Sequence, residues 1–284
     1  MTDDVLPLTS ILTVTPEPGS GHRFTAPNLP LLSDRIYGGQ ILAQSLAAAG
    51  QTLPDDRPAH SLHAYFIRGG IPGTPLEYQV DNLSDGRTLA HRRVQALQTE
   101  RTLFSSIISF ASNEDGKEHQ GAGPVVPGPD EVAPSDDLVM LPVAELGGFE
   151  LRPIVGDDAA QLGGDELGRR AFWIKLRGQG PDDPAWHQQA LAYTSDLAMF
   201  ATSMKVHGVQ MGGGGGRGTL ITSLDHALWW HAPARMDEWH LLVQEAPQAR
   251  SGRSLNAAYY YSTAGQLVAS VAQETLFRIA PPEA

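Results

Sequence analysis

Hydrophobic positions along the chain change period in the same order in each half. In the first half Gly38-Gly39 opens a run with Ile41, Leu42, Ser45, Leu46 and Ala49 at helical spacing, and Gly50 closes it. The period then falls to two over residues 76–83 and 87–98, on either side of Asp85-Gly86, which predicts a hairpin with a two-residue turn. Residues 104–112 predict a further strand. In the second half Asp183-Pro184 is a start signal, an N-cap followed by proline at the first helical position, and predicts a helix from Ala185 to about Met204. Strands are predicted after it over residues 221–230, 239–245, 255–262 and 267–277. One long helix followed by several antiparallel strands, used twice, is an α+β architecture in which each sheet wraps its helix.

The halves also repeat in their residues. Ser61-Leu62-His63-Ala64-Tyr65-Phe66 returns as Ser223-Leu224-Asp225-His226-Ala227-Leu228, Gly86-Arg87-Thr88-Leu89 as Gly252-Arg253-Ser254-Leu255, and Leu103 to Ser109 as Leu267 to Gln273. The offsets of 162, 166 and 164 stay close, as expected of one fold used twice with loops absorbing the drift. Between the halves, the polar turn 113–118 and the Gly- and Pro-rich stretch from Gly121 to Pro134 have linker composition. This divides the chain into a first unit over 1–115, a linker over 116–144 and a second unit over 145–284.

Composition narrows the chemistry. A length of 284 residues with 41% hydrophobic and 18% charged residues suits a globular protein with two modest cores. The net charge of −12 argues against a nucleic-acid partner, which needs a dense basic surface. The chain has no cysteine, so thiolate nucleophiles, disulfides and cysteine-ligated zinc are excluded. The acidic start Met1-Thr2-Asp3-Asp4 leads into no long apolar segment, and no stretch approaches a membrane span, so a cytoplasmic location is expected. The run Gly212 to Gly216 has no Gly-Lys-Ser/Thr ending and precedes a strand, so it reads as a loop and not a phosphate cradle.

Three polar residues in the second half stand out. Asp196 projects from a stripe formed by Ala192, Tyr193, Met199 and Phe200. A carboxylate buried there is either a structural tie or a general base with a raised pKa. Gln273 interrupts the core-facing row Leu267, Ala269, Val271, Thr275, Phe277, and Ser109 stands at the matching place of the first half. Ser223 opens the strand after the glycine run, with its face left ambiguous by the flanking pattern. There is no Gly-x-Ser-x-Gly elbow and no His-Glu-x-x-His, and the pairs His60/His63 and His226/His231 lack a carboxylate at zinc-like spacing. Those histidines read as packed or surface residues, and no metal is expected.

Several segments together resemble a known family. Tyr37-Gly38-Gly39-Gln40, the stretch from His60 to Arg68, Asp85-Gly86-Arg87 with Arg92-Arg93-Val94-Gln95-Ala96, and Glu118-His119-Gln120 look like the first half of the type II acyl-CoA thioesterases, TesB-like enzymes of double-hotdog fold. Ala192 to Asp196, Ser223-Leu224-Asp225-His226 with Trp229, and Val268-Ala269-Ser270 leading to Gln273-Glu274 look like the second. The resemblance implies a catalytic set of Asp196, Ser223 and Gln273, a water nucleophile and no cofactor. The oxyanion would draw on backbone donors at Gly38-Gly39, and Arg68, Arg87, Arg92 and Arg93 would receive the phosphates of coenzyme A. It also implies a homodimer or homotetramer. Two alternatives share the fold: an enoyl-CoA hydratase, which needs a His a few residues after its Asp that Asp196 lacks, and an inactive acyl-CoA binder.

Overall fold

The computed structural model describes residues 8–28, 35–54, 57–134, 148–209 and 220–278. The first half contains the short helix α1 (Leu8–Leu12), the long helix α2 (Gly38–Gly50), and strands β1 (Thr15–Pro16), β2 (Arg23–Ala26), β3 (Ala59–Phe66), β4 (Leu76–Asp85), β5 (Leu89–Gln98) and β6 (Arg101–Ala111). The second contains β7 (Phe149–Ile154), α3 (Gly156–Gln161), β8 (Arg170–Leu176), α4 (Pro184–Ser195), α5 (Ala201–Val206), β9 (Leu220–Ser223), β10 (Asp225–Trp230), β11 (His240–Arg250), β12 (Arg253–Ser262) and β13 (Leu267–Arg278). The glycine run lies outside the described residues.

Among the described residues the strands form one antiparallel sheet in the order β1-β2-β4-β5-β6-β3-β10-β13-β12-β11-β8-β7, with β9 on β13. The halves join where β3 pairs with β10, Tyr65 opposite Asp225 through Ser61 opposite Trp229. Each half curls around its own helix, and α2 and α4 run antiparallel against each other inside. The main core among the described residues is shared by both halves, with Leu42, Leu46, Ala190, Leu191, Phe104, Leu228 and Tyr260 all buried. Among the described residues no helix is long and apolar enough to cross a membrane.

The expected helix from Ala185 to Met204 breaks at residue 196. Asp183 caps its start, accepting from Ala185 N at 2.9 Å, and α4 ends at Ser195. Ala198 takes the left-handed φ of 53° in the turn before α5. The break frees Asp196 to leave the helix axis and reach the first half.

Hydrogen bonds at the strand ends correct the alignment of the halves. After β3, Ile67 and Arg68 both donate to Leu103 O; after β10, His231 and Ala232 both donate to Val268 O. Ile67 therefore corresponds to His231, and Leu62 to His226, two positions beyond what the Ser-Leu repeat suggests. Ile108 faces Leu62 across β3 and β6, so the first half has Leu62–Ile108 where the second has His226–Gln273. Ser109 is not the counterpart of Gln273. It lies on the opposite face of β6, with its hydroxyl 2.7 Å from His60 Nε2.

The linker is more than a spacer. Gln120 bonds Leu267 N and Gly265 O, and the Trp173 indole donates to Pro127 O at 2.9 Å. Val126 and Val132 cover an apolar patch on the outer face of β8 and β11, made by Trp173, Leu241 and Val243.

Candidate active site

Asp196, Ser223 and Gln273 come together where the C-terminus of α4 meets the N-terminus of α2. Asp196 is buried, and its Oδ2 accepts the Gly39 N–H at 3.0 Å. The N-cap of α2, Tyr37, offers no side-chain cap, so the carboxylate satisfies a free N–H at the positive end of the helix dipole. Tyr37 instead ties the seam, its hydroxyl donating to Tyr193 O at 2.7 Å. Both glycines are required by closeness. A Cβ on Gly38 would stand 2.7 Å from Asp196 Oδ2, and one on Gly39 would collide with Tyr193 O and the Tyr37 ring.

The second oxygen, Asp196 Oδ1, is buried without a hydrogen-bond partner among the described residues. Burial pushes the Asp196 carboxyl up to about 7, against the opposing pull of the Gln273 amide and the Gly39 N–H. Gln273 Nε2 donates to Ser223 Oγ at 2.5 Å, and the same amide favours the charged form of Asp196. Ser223 ends β9, opposite Thr275 on β13, and its hydroxyl faces inward to Gln273.

A histidine that the sequence assigns to packing or the surface belongs to this cluster. His226 is buried, with Nδ1 2.8 Å from Gln273 Oε1 and Nε2 2.9 Å from Ser195 Oγ. Burial lowers its pKa to about 4, opposed by the bond to Gln273. The available signal was its place in the core-facing alternation with Leu228 and Trp230, which a polar ring interrupts.

The arginines divide. Arg92 is fully buried and is withdrawn from the phosphate set: it donates to Thr52 Oγ1 at 2.8 Å and Asn82 Oδ1 at 2.9 Å and pairs with Asp85 at 2.7 Å. It bolts the C-terminal end of α2 to the β4–β5 hairpin. Arg93 pairs with Asp81 on the outer strand face, and Arg87 stands at the hairpin turn, by the end of α2 remote from Asp196. Arg68 follows β3, whose Phe66 ring touches Gly38, and donates to Thr102 O at 2.8 Å. Arg35, which the sequence reading passed over, reaches Thr222 Oγ1 beside Ser223 at 3.2 Å.

Gly39 likewise changes role, because its N–H is held by the carboxylate and cannot also serve an oxyanion. A cavity of about 610 Å³ lies at the opposite end of the helix pair, lined by Leu46, Gln51, Asp183 and Trp186 among others, and none of the trio reaches it. Among the described residues no group of three or more His, Asp or Glu side chains could hold a metal ion.

These features define a double-hotdog protein with a polar centre built by the second half and held by the first. The chain matches the family models described as acyl-CoA thioesterase over residues 152–276 and acyl-CoA thioesterase N-terminal domain over residues 26–111. It is 34% identical to acyl-CoA thioesterase 2 of Haemophilus influenzae over 258 residues, covering 86% of this chain and 88% of the relative. It is 32% identical to human acyl-coenzyme A thioesterase 8, covering 87% and 82%. The crystal structure of acyl-CoA thioesterase II TesB2 from Mycobacterium marinum superposes with a TM-score of 0.82 at 31% identity, covering 97% of this chain and all of that one. The chain belongs to the type II acyl-CoA thioesterase family and is a thioester hydrolase.

Proposed function

We propose that this enzyme hydrolyses acyl-CoA by direct attack of water, with Asp196 as general base and Ser223 and Gln273 as the groups that hold the water. The observation that carries this reading is Asp196 Oδ1, a buried and unpartnered acceptor beside the Ser223–Gln273 pair, with the other oxygen anchored on Gly39. A carboxyl whose pKa is about 7 accepts a proton readily near neutrality. In the reaction the water oxygen adds to the thioester carbon while its proton passes to Asp196. The C–S bond then breaks, and the departing thiolate takes that proton, giving the free acid and coenzyme A.

Orientation of the water and general-base help contribute roughly 10²–10⁴-fold each. Of the two glycines, Gly38 retains its N–H for the carbonyl oxygen, at a helix N-terminus that favours negative charge. Arg35 and Arg68, on the side of the seam near Ser223, are our candidates for the phosphates of the nucleotide. The division at 1–115, 116–144 and 145–284, a cytoplasmic location and assembly as a homodimer or homotetramer complete this reading.

The test is hydrolysis of acyl-CoA in ¹⁸O-labelled water, followed by thiol release and by mass spectrometry of both product and protein. One ¹⁸O in the acid and no acyl adduct on the protein are expected. An acyl-protein on Ser223 would replace water attack by covalent catalysis.

A further inference from the structure

The polar pair His226–Gln273 stands where the first half has the apolar pair Leu62–Ile108. Both members of the pair differ together. A buried imidazole among Leu228, Ala64 and the core carries a desolvation cost that a leucine in the same fold avoids, so its presence needs a reason. Its two ring nitrogens supply one.

A glutamine side chain has two orientations that differ by exchange of its oxygen and nitrogen, and here only one is useful. With Nε2 toward Ser223 the amide donates to the hydroxyl and presents positive charge to the Asp196 side. Turned over, it would present an oxygen to the same groups and oppose ionisation of the carboxyl. Gln273 Oε1 can only accept, so His226 Nδ1, at 2.8 Å, must carry the proton of that contact. Nε2 of the neutral ring is then an acceptor facing Ser195 Oγ at 2.9 Å. Ser195 Oγ also lies 2.8 Å from Ala192 O, but sending its proton there would leave two lone pairs facing each other in a buried contact. The hydroxyl therefore donates to the ring. A one-directional chain results, from Ser195 to His226, from His226 to Gln273 and from Gln273 to Ser223. It begins on the residue next to Asp196 and returns to the same centre.

We propose that His226 is a positioning residue for the thioesterase reaction, holding the Gln273 amide in the one orientation that serves Ser223 and the attacking water. It does not touch substrate in this scheme; it acts through Gln273. Burial keeps the ring neutral down to about pH 4, so the donor pattern persists across the working range of an enzyme. The inference rests on the proposed role of Gln273.

The discriminating variants are His226→Asn and His226→Gln. Asparagine places an N–H near the position of Nδ1 and so keeps the donor to Gln273, whereas glutamine extends toward Nε2 and Ser195 and loses it. Steady-state thiol-release kinetics and thermal unfolding are measured for both, for Gln273→Ala, and for His226→Gln combined with Gln273→Ala. We expect kcat for His226→Gln to fall about 10- to 100-fold with KM within about two-fold. His226→Asn should exceed it by at least about five-fold at similar thermal stability. In the Gln273→Ala background, His226→Gln should add less than about two-fold, the signature of two residues acting through one group. Equal kcat for the Asn and Gln variants, or the same loss in both backgrounds, overturns the positioning role while leaving the reading of the trio intact. Near-parental activity of Gln273→Ala overturns both.

Discussion

Asp196→Asn keeps the shape of the side chain that α4 delivers to the start of α2 while removing its charge. If Oδ1 accepts the proton of the attacking water, kcat falls by at least about 10²-fold and KM stays within about two-fold. The substitution also has a thermodynamic signature. An unfolded Asp titrates near about 3.9, whereas Asp196 in the folded chain titrates at about 7. Between those values the folded chain keeps a proton that the unfolded chain has released. The stability this residue contributes is therefore complete below about pH 4 and is lost as pH rises through about 7. The whole span corresponds to about 4 kcal/mol, an upper bound because water and side chains relax around a buried charge. Asparagine carries no such burden. Urea unfolding of parent and variant across a pH series should give a stability difference that grows in favour of the variant from about pH 4.5 to about pH 8, by roughly 1–4 kcal/mol. Over the same range the logarithm of kcat/KM of the parent should rise with unit slope below about pH 7 and level off above it, since only the ionised acid accepts the proton. A variant that turns over at near the parental rate, or a stability difference flat across this range, would refute the assignment of Asp196 as base.

Three further outcomes follow from the geometry. Gln273→Ala should lower kcat by about 10²-fold or more, while Ser109→Ala, whose hydroxyl bonds His60 on the other face, should leave kcat and KM within about two-fold; equal losses would mean a second working centre. Arg92→Ala should cost about 3–5 kcal/mol in denaturant unfolding, because it leaves the partners of a buried cation unsatisfied, and Arg93→Ala less than about 1; a KM effect from Arg92 with stability unchanged would return it to the substrate site. Arg35→Ala with Arg68→Ala should raise KM for acyl-CoA in a salt-sensitive way while hardly affecting a short thioester that lacks the nucleotide; a flat KM would move the phosphate site elsewhere.

Burial pattern decided legibility only in part: β11, buried in succession over its first five residues, was predicted, whereas the alternating β2 and the partly alternating β3 were not. The hairpin of β4 and β5 has a solvated outer face and reads directly as period two. β8 does not, because Phe172, Trp173 and Ile174 are all buried in succession, the outer one beneath Val126 and Val132 of the linker. Asp196 stood out because a carboxylate among apolar neighbours is conspicuous on any helix, yet the break after Ser195 that aims it has no local signal. Ser109 was misassigned for a related reason. Strand ends shift by a residue or two between halves, and one step of slip exchanges the faces. Arg92 was assigned to the phosphates of coenzyme A because its partners, Thr52, Asn82 and Asp85, converge only in three dimensions.

The start of α2 and the start of α4 are quasi-equivalent, and their caps differ in kind. At α4 the donor of Ala185 is satisfied by a residue of its own chain segment, Asp183. At α2, Tyr37 leaves the donor of Gly39 open, and the acid arrives from the other half. Capping in cis keeps one helix terminus within its own half; capping in trans brings a buried carboxylate of the other half to the terminus and joins the two halves there. A serine or aspartate introduced at position 37 would compete with Asp196 for the same N–H, so an ordinarily stabilising helix cap would there pull against the contact that joins the halves.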